Sequence, residues 1–137
     1  MDRRYDLLAE LLIRVVERVA PDDASTIAEQ VGREYGAELA AQVGLPEEDG
    51  FADAVRAVTR AMAGVGFGID ADDDLQMLTR HCPFGTAAAN HPEVVCRLDQ
   101  GIVRGLLAAT GIDVAPATVN PHADPAEACV TQVSVAE

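Results

Sequence analysis

The sequence contains no tryptophan and no lysine, and only three phenylalanines and two tyrosines. With so few rings, the core has to be assembled from Leu, Ile, Val and Ala. The absence of lysine makes all ten basic residues arginines, and against 23 acidic residues they leave a formal net charge of −13. The densest positive feature, Arg3-Arg4, is offset by Asp2 and Asp6, and no arginine follows Arg104. Binding to phosphates takes a basic patch, so this composition excludes direct binding to nucleic acid or to an anionic membrane surface. Long apolar runs are lacking too: none approaches the roughly 20 residues that a membrane span requires. The stretch after Met1 is broken by Glu10, Arg14, Glu17 and Arg18, which reads as an amphipathic helix and not as a signal peptide, so a cytoplasmic location is expected. Three widely spaced cysteines do not make a secreted disulfide framework, and leave a thiol, a metal site or plain burial as their roles.

At 137 residues the chain fits a single domain, 1–137, with a helical part over 1–66 and a mixed part over 67–137. Leu8, Leu12, Val15 and Val19 recur at helical spacing up to Pro21, and Leu7, Leu11 and Val16 widen the stripe enough to suit contact on two sides, one of them a dimer seam. Thr26 and Glu29 stand at capping-box spacing before a second helix with Ile27, Val31, Tyr35, Leu39 and Val43 as its apolar positions, stopped at Gly44. A third helix starts near Gly50 and turns Phe51, Val55, Val58, Met62 and Val65 inward.

Beyond residue 66 the period changes. The segments GVGFGID and LQMLTRHCPF around the turn ADDD read as an antiparallel hairpin. Asn90 and Glu93, again at cap and N3 spacing, open a helix that carries Val94, Val95, Leu98, Ile102, Leu106 and Leu107 inward and runs to Gly111. IDVAPATVN and ACVTQVSV alternate as two further strands. The expected fold class is therefore α+β, N-terminal helices followed by a ββαββ antiparallel sheet unit with one packed helix.

The residues that carry chemistry gather in RHCPFGTAAANHPEVVC, which holds two of the three cysteines and two of the three histidines. Cys82 falls where a strand gives way to a loop, Cys96 in the second turn of the following helix, and Cys129 at the last strand. Their spacing is not a CxxC pattern, so the sequence signal is topological: a helix packed on a sheet can bring a strand end, a helix turn and a neighbouring strand together. Soft thiolates select zinc, copper(I) or an iron–sulfur cluster, and a tetrahedral site asks for a fourth ligand, for which His91, His122 and His81 are the candidates. The alternative is three separately buried cysteines or a redox pair, with Pro83 ending the strand and Phe84 anchoring the loop.

The segment HCPFGTAAANHPEVVCRLDQGIVRGLL, with a GF-containing hairpin before it and a cysteine in the last strand, resembles the C-terminal sensory domain of helix-turn-helix transcriptional regulators similar to the SUF-operon repressor. The Cys-Pro-Phe, the His-Pro-x-x-Val-Cys and the helix ending in Gly-Leu-Leu carry the likeness, which extends over nearly the whole chain. The resemblance implies that Cys82, Cys96 and Cys129 ligate an iron–sulfur cluster, with Pro83 and Phe84 lining the site. Where the family commonly has Asn before Cys-Pro-Phe this chain has His81, and a fourth cysteine is missing. The chain opens on what would be the connector helix, so DNA would be reached only through a winged-helix domain that lies outside it.

The expected function is that of a sensory domain of a transcriptional regulator, homodimeric and not an enzyme, binding a cluster or metal through three cysteines. Zinc, or haem with a Cys or His axial ligand, is the alternative cofactor. A metal-free sensor with an apolar pocket lined by the cysteines is the alternative function. An enzyme with Cys82 as nucleophile and His81 or His91 as base has the residue types but no third group to orient the base.

Overall fold

The computed structural model describes residues 5–47, 50–71, 77–81, 87, 90–111, 118–120 and 129–132, with residues 5–6, 79–81, 118–120 and 129–132 described from the backbone alone. The fold is α+β. Three helices come first, α1 (Tyr5–Val19), α2 (Ala24–Val43) and α3 (Phe51–Ala63); β1 (Gly68–Ala71) and β2 (Met77–His81) follow, then α4 (Pro92–Ala109), β3 (Thr118–Asn120) and β4 (Cys129–Gln132). The strands form one antiparallel sheet in the order β1-β2-β4-β3.

Proline 21 ends α1 as the sequence predicts, and the Ala20 carbonyl accepts the backbone N–H of Asp23 and of Ala24. Helix α2 then starts at Ala24, two residues before the expected cap Thr26, and Asp23 at its cap makes no side-chain capping bond. Glu29 is thereby free of a capping role, and is used elsewhere. At the other end Gly44 takes a left-handed conformation, φ 66°, and the Leu45 N–H reaches back to the Ala40 carbonyl at 2.9 Å, which closes the helix and turns Leu45 toward the core.

Of the expected apolar stripe of α2 only Leu39 is buried. Ile27, Val31 and Tyr35 are exposed, whereas Ala28, Gly32, Gly36, Leu39 and Ala40 are buried. The cause is the partner. Gly32 and Gly36 of α2 meet Gly101 and Gly105 of α4, each pair four residues apart and so on one helix face. A Cβ on any of the four would come closer than 3.0 Å to backbone of the other helix. Backbone can approach backbone this closely only where side chains are missing, so the most intimate packing in the molecule runs through residues that hydrophobic periodicity does not register.

Helix α3 follows its pattern: Val55, Val58 and Met62 are fully buried, while Val65 beyond its end is exposed. The core joins these to Leu39 of α2, Phe67, Ile69 and Met77 of the hairpin, and Ile102, Val103, Leu106 and Leu107 of α4. Two hydroxyls inside it are satisfied locally, Thr59 by the Val55 carbonyl at 2.7 Å and Thr110 by the Leu107 carbonyl at 2.6 Å. The α4 start is one residue later than the Asn90 cap predicts. Pro92 disfavours helical geometry in the residue before it, so His91 is the cap with φ −134° and ψ 58°, and the Asn90 amide instead donates to Glu10 Oε1 at 3.3 Å.

Candidate functional site

Cys96 lies in the second turn of α4, half-buried, and Cys129 is the first residue of β4. Strand β4 is hydrogen-bonded to β2, with Cys129 in register with Thr79, two residues before the end of β2 at His81. Cys82, Pro83, Phe84 and His122 fall outside the described residues, as do the side chains of His81 and Cys129. Among the described residues no group of three or more His, Cys, Asp and Glu stands ready to hold a metal ion.

One residue that periodicity did not single out shares a face with Cys96. Asp99 follows it by three positions, about 60° around the helix, and both lie on the side of α4 turned away from the glycines that meet α2, Asp99 roughly 160° from Gly101. Asp99 is 7% exposed, and its Oδ1 has no hydrogen-bond partner among the described residues. Burial pushes its carboxyl up from the usual 3.8 to about 7, because removing water disfavours the charged form. A visible signal existed: Asp99 interrupts an inward face that otherwise reads Val95, Ile102, Val103, Leu106, and an acid at such a position has to be satisfied by something.

His91, a candidate fourth ligand, has a carboxylate at hydrogen-bond distance from one ring nitrogen. Its Nδ1 lies 2.9 Å from Glu17 Oε1 and its Nε2 3.7 Å from Glu10 Oε1, the first a hydrogen-bond distance and the second only electrostatic proximity. Nε2 is buried and has no hydrogen-bond partner among the described residues, so Glu17 orients the ring through Nδ1 and leaves Nε2 as its open nitrogen. The two carboxylates tie α1 to the start of α4. These contacts and the Asn90 amide are polar, while Leu8, Leu12 and Val15 of α1 remain more than half exposed and Val19 is 79% exposed.

A second cluster lies along the α2–α4 seam. Glu29 is buried, and its carboxylate is met by Arg33 of its own helix and by Arg97 and Arg104 of α4, which flank Gly101. Periodicity does not reveal this cluster, because the four residues are brought together by the glycine contact and not by spacing in the chain.

An open groove of about 330 Å³ lies where the end of α2 meets α3, lined by Val43, Leu45, Pro46, Ala57, Arg60 and Val65 among others, and none of the cysteines borders it. No helix among the described residues is long and apolar enough to cross a membrane. Comparison with protein-family models, curated proteins and solved structures finds no match to this chain.

Proposed function

We propose that the chain is a sensory domain of a transcriptional regulator whose signal is received at a cysteine site, with an iron–sulfur cluster, or zinc, held by Cys82, Cys96 and Cys129. The observation that carries this reading is Asp99, a deeply buried carboxylate with an orphan oxygen one helical turn from Cys96. A buried acid without a partner costs about 1–3 kcal/mol, and a cation beside it removes that penalty. Carboxylates ligate zinc alongside thiolates, so Asp99 supplies the fourth donor that three cysteines lack. The placement of Cys129 at the edge of β4 next to β2, which leads into Cys82, suits a site between sheet and helix. That placement in turn rests on reading β1, β2, α4, β3 and β4 as one ββαββ unit.

Bound metal would supply a cross-link between α4 and the sheet. The chain's own part is mechanical: α4 is fixed to α2 by the glycine contact, so a shift at Cys96 passes to α2 and to α1, which is tied to α4 through His91. Ligand occupancy would then bias one arrangement of these helices over another. We further propose that the exposed apolar side chains of α1 form a homodimer seam, the surface through which such a shift is read. They are Leu7, Leu8, Leu11, Leu12, Val15, Val16 and Val19, too many apolar side chains in one place for a solvated helix.

Metal and acid-labile sulfide analysis of protein purified without oxygen, with its visible spectrum, tests the reading. Iron with sulfide, or stoichiometric zinc, lost on Cys82→Ser and on Cys96→Ser, is the expected result. A colourless, metal-free protein whose three thiols titrate freely would remove the cysteine site and favour a small-molecule sensor using the α2–α3 groove.

A further inference from the structure

The charge cluster on the α2–α4 seam holds more cation than the seam needs. Glu29 Oε1 accepts from Arg33 Nη2 at 3.0 Å and from Arg104 Nη1, and Oε2 lies 2.8 Å from Arg97 Nη2. Three guanidiniums face one carboxylate, a local excess of two positive charges in a chain of net charge −13. Among the described residues the other arginine ion pairs lie within one helix and set one guanidinium against one carboxylate, Arg14 with Glu10 and Arg56 with Asp53. Among the described residues no second carboxylate comes within ion-pair distance of Arg33, Arg97 or Arg104.

A second observation points the same way. The Arg97 side chain is 41% exposed, yet its Nε is buried and donates to nothing among the described residues. A guanidinium N–H turned inward without an acceptor is costly and leaves the Arg97 charge incompletely met by Glu29, while the Nη–H pair at the end of this part-exposed side chain is the planar fork that takes an oxyanion through two parallel bonds. The frame is stiff, since Gly101 lies between Arg97 and Arg104 and is pressed against the backbone of Glu29 and Arg33. Preorganised donors of this kind bind an anion without first being ordered.

We propose that Arg97, with Arg33 and Arg104, forms a binding site for a small oxyanion, a phosphate- or carboxylate-bearing molecule, and that Glu29 is the template that holds the three guanidiniums apart. The site lies on the α2 side of α4, away from Cys96 and Asp99, and stands whether or not the cysteines bind metal. The acidic chain repels a long polyanion, which restricts the ligand to a small molecule.

The test titrates the full chain with inorganic phosphate and, separately, with citrate, at ionic strength held constant with sodium chloride, following heat of binding and Tm. Saturable binding with a rise in Tm is expected for at least one anion: phosphate alone identifies a phosphate-bearing ligand, citrate alone a carboxylate. Arg97→Gln should weaken that binding about tenfold or more, as expected for loss of a charged hydrogen-bond pair, and Arg56→Gln should leave it unchanged. Should Arg97→Gln fail to fold by circular dichroism, Arg97→Lys keeps the charge, lacks the fork, and should show the same weakening. No saturable response beyond that of chloride, or equal affinity in the Arg97 variants, overturns the proposal.

Discussion

Helices α1 and α2 are separated by a single turn at Pro21, and they use their residues in opposite ways. Helix α1 carries eight large aliphatic side chains and leaves seven of them exposed, Ile13 being half-buried; α2 packs closest through two glycines and flanking alanines and leaves its larger Ile27, Val31 and Tyr35 outside. Apolar content therefore does not say which face is buried. What decides is whether a partner can approach: α4 offers Gly101 and Gly105 at matching intervals to α2, while the contacts that tie α1 to the start of α4, at Asn90 and His91, are polar.

That contrast can be broken most severely at the glycines. Gly101→Ala puts a methyl group against the Glu29 carbonyl and the Arg33 amide, backbone atoms that cannot swing aside, and should cost about 3 kcal/mol in chemical unfolding. A loss below about 0.5 kcal/mol would mean that the helices do not approach as described.

Next in size is Asp99, which lies on the same helix and turns to its other side. Its folded carboxyl is raised to about 7 from 3.8, so between those values the folded state holds a proton that the unfolded state has released. Stability of the metal-free protein should fall as pH rises through that window and level off above it, by a few kcal/mol in all. Asp99→Asn should remove this part of the pH dependence, and an unchanged profile between pH 4 and 8 would contradict the assignment.

Glu29→Gln comes third. Replacing the carboxylate leaves three guanidiniums facing a neutral amide; because Arg33, Arg97 and Arg104 are 49%, 41% and 25% exposed, solvent screening holds the loss to about 2 kcal/mol. A chemical unfolding curve indistinguishable from that of the unaltered protein would show that the cluster contributes nothing to the seam.

The smallest effect on stability belongs to α1. Leu12→Ser with Val15→Ser should change unfolding free energy by less than about 0.5 kcal/mol, since both side chains are already more than half exposed. The same pair should dissociate the proposed dimer in sedimentation analysis. A large loss of stability with no change of mass would place the apolar face of α1 against its own chain.

Much of this fold was legible because Pro21, Gly44 and the hairpin turn are local signals, and because Val55, Val58 and Met62 obey a simple period. The α2 stripe was misread for a physical reason: glycine and alanine are silent in a hydrophobic pattern, yet they alone permit backbone-to-backbone packing. Asp99 and Glu29 escaped notice since an acidic residue in a helix is ordinarily solvated, and only the packing of α4 shows that these two are not. The cap expected at Asn90 moved to His91 because Pro92 constrains the residue before it. The cysteines were visible from the start, and of their sequence-level surroundings Cys96 is the one whose side chain the structure describes.

A cysteine metal site is tested by the absorption spectrum of the protein loaded with cobalt(II), which reports both thiolate ligation and tetrahedral geometry. Intense thiolate-to-metal charge transfer is expected that weakens in Cys96→Ser, with visible bands that change in Asp99→Asn while the charge transfer persists. Cobalt bound without charge transfer, or not bound at all, would contradict a cysteine metal site in this chain.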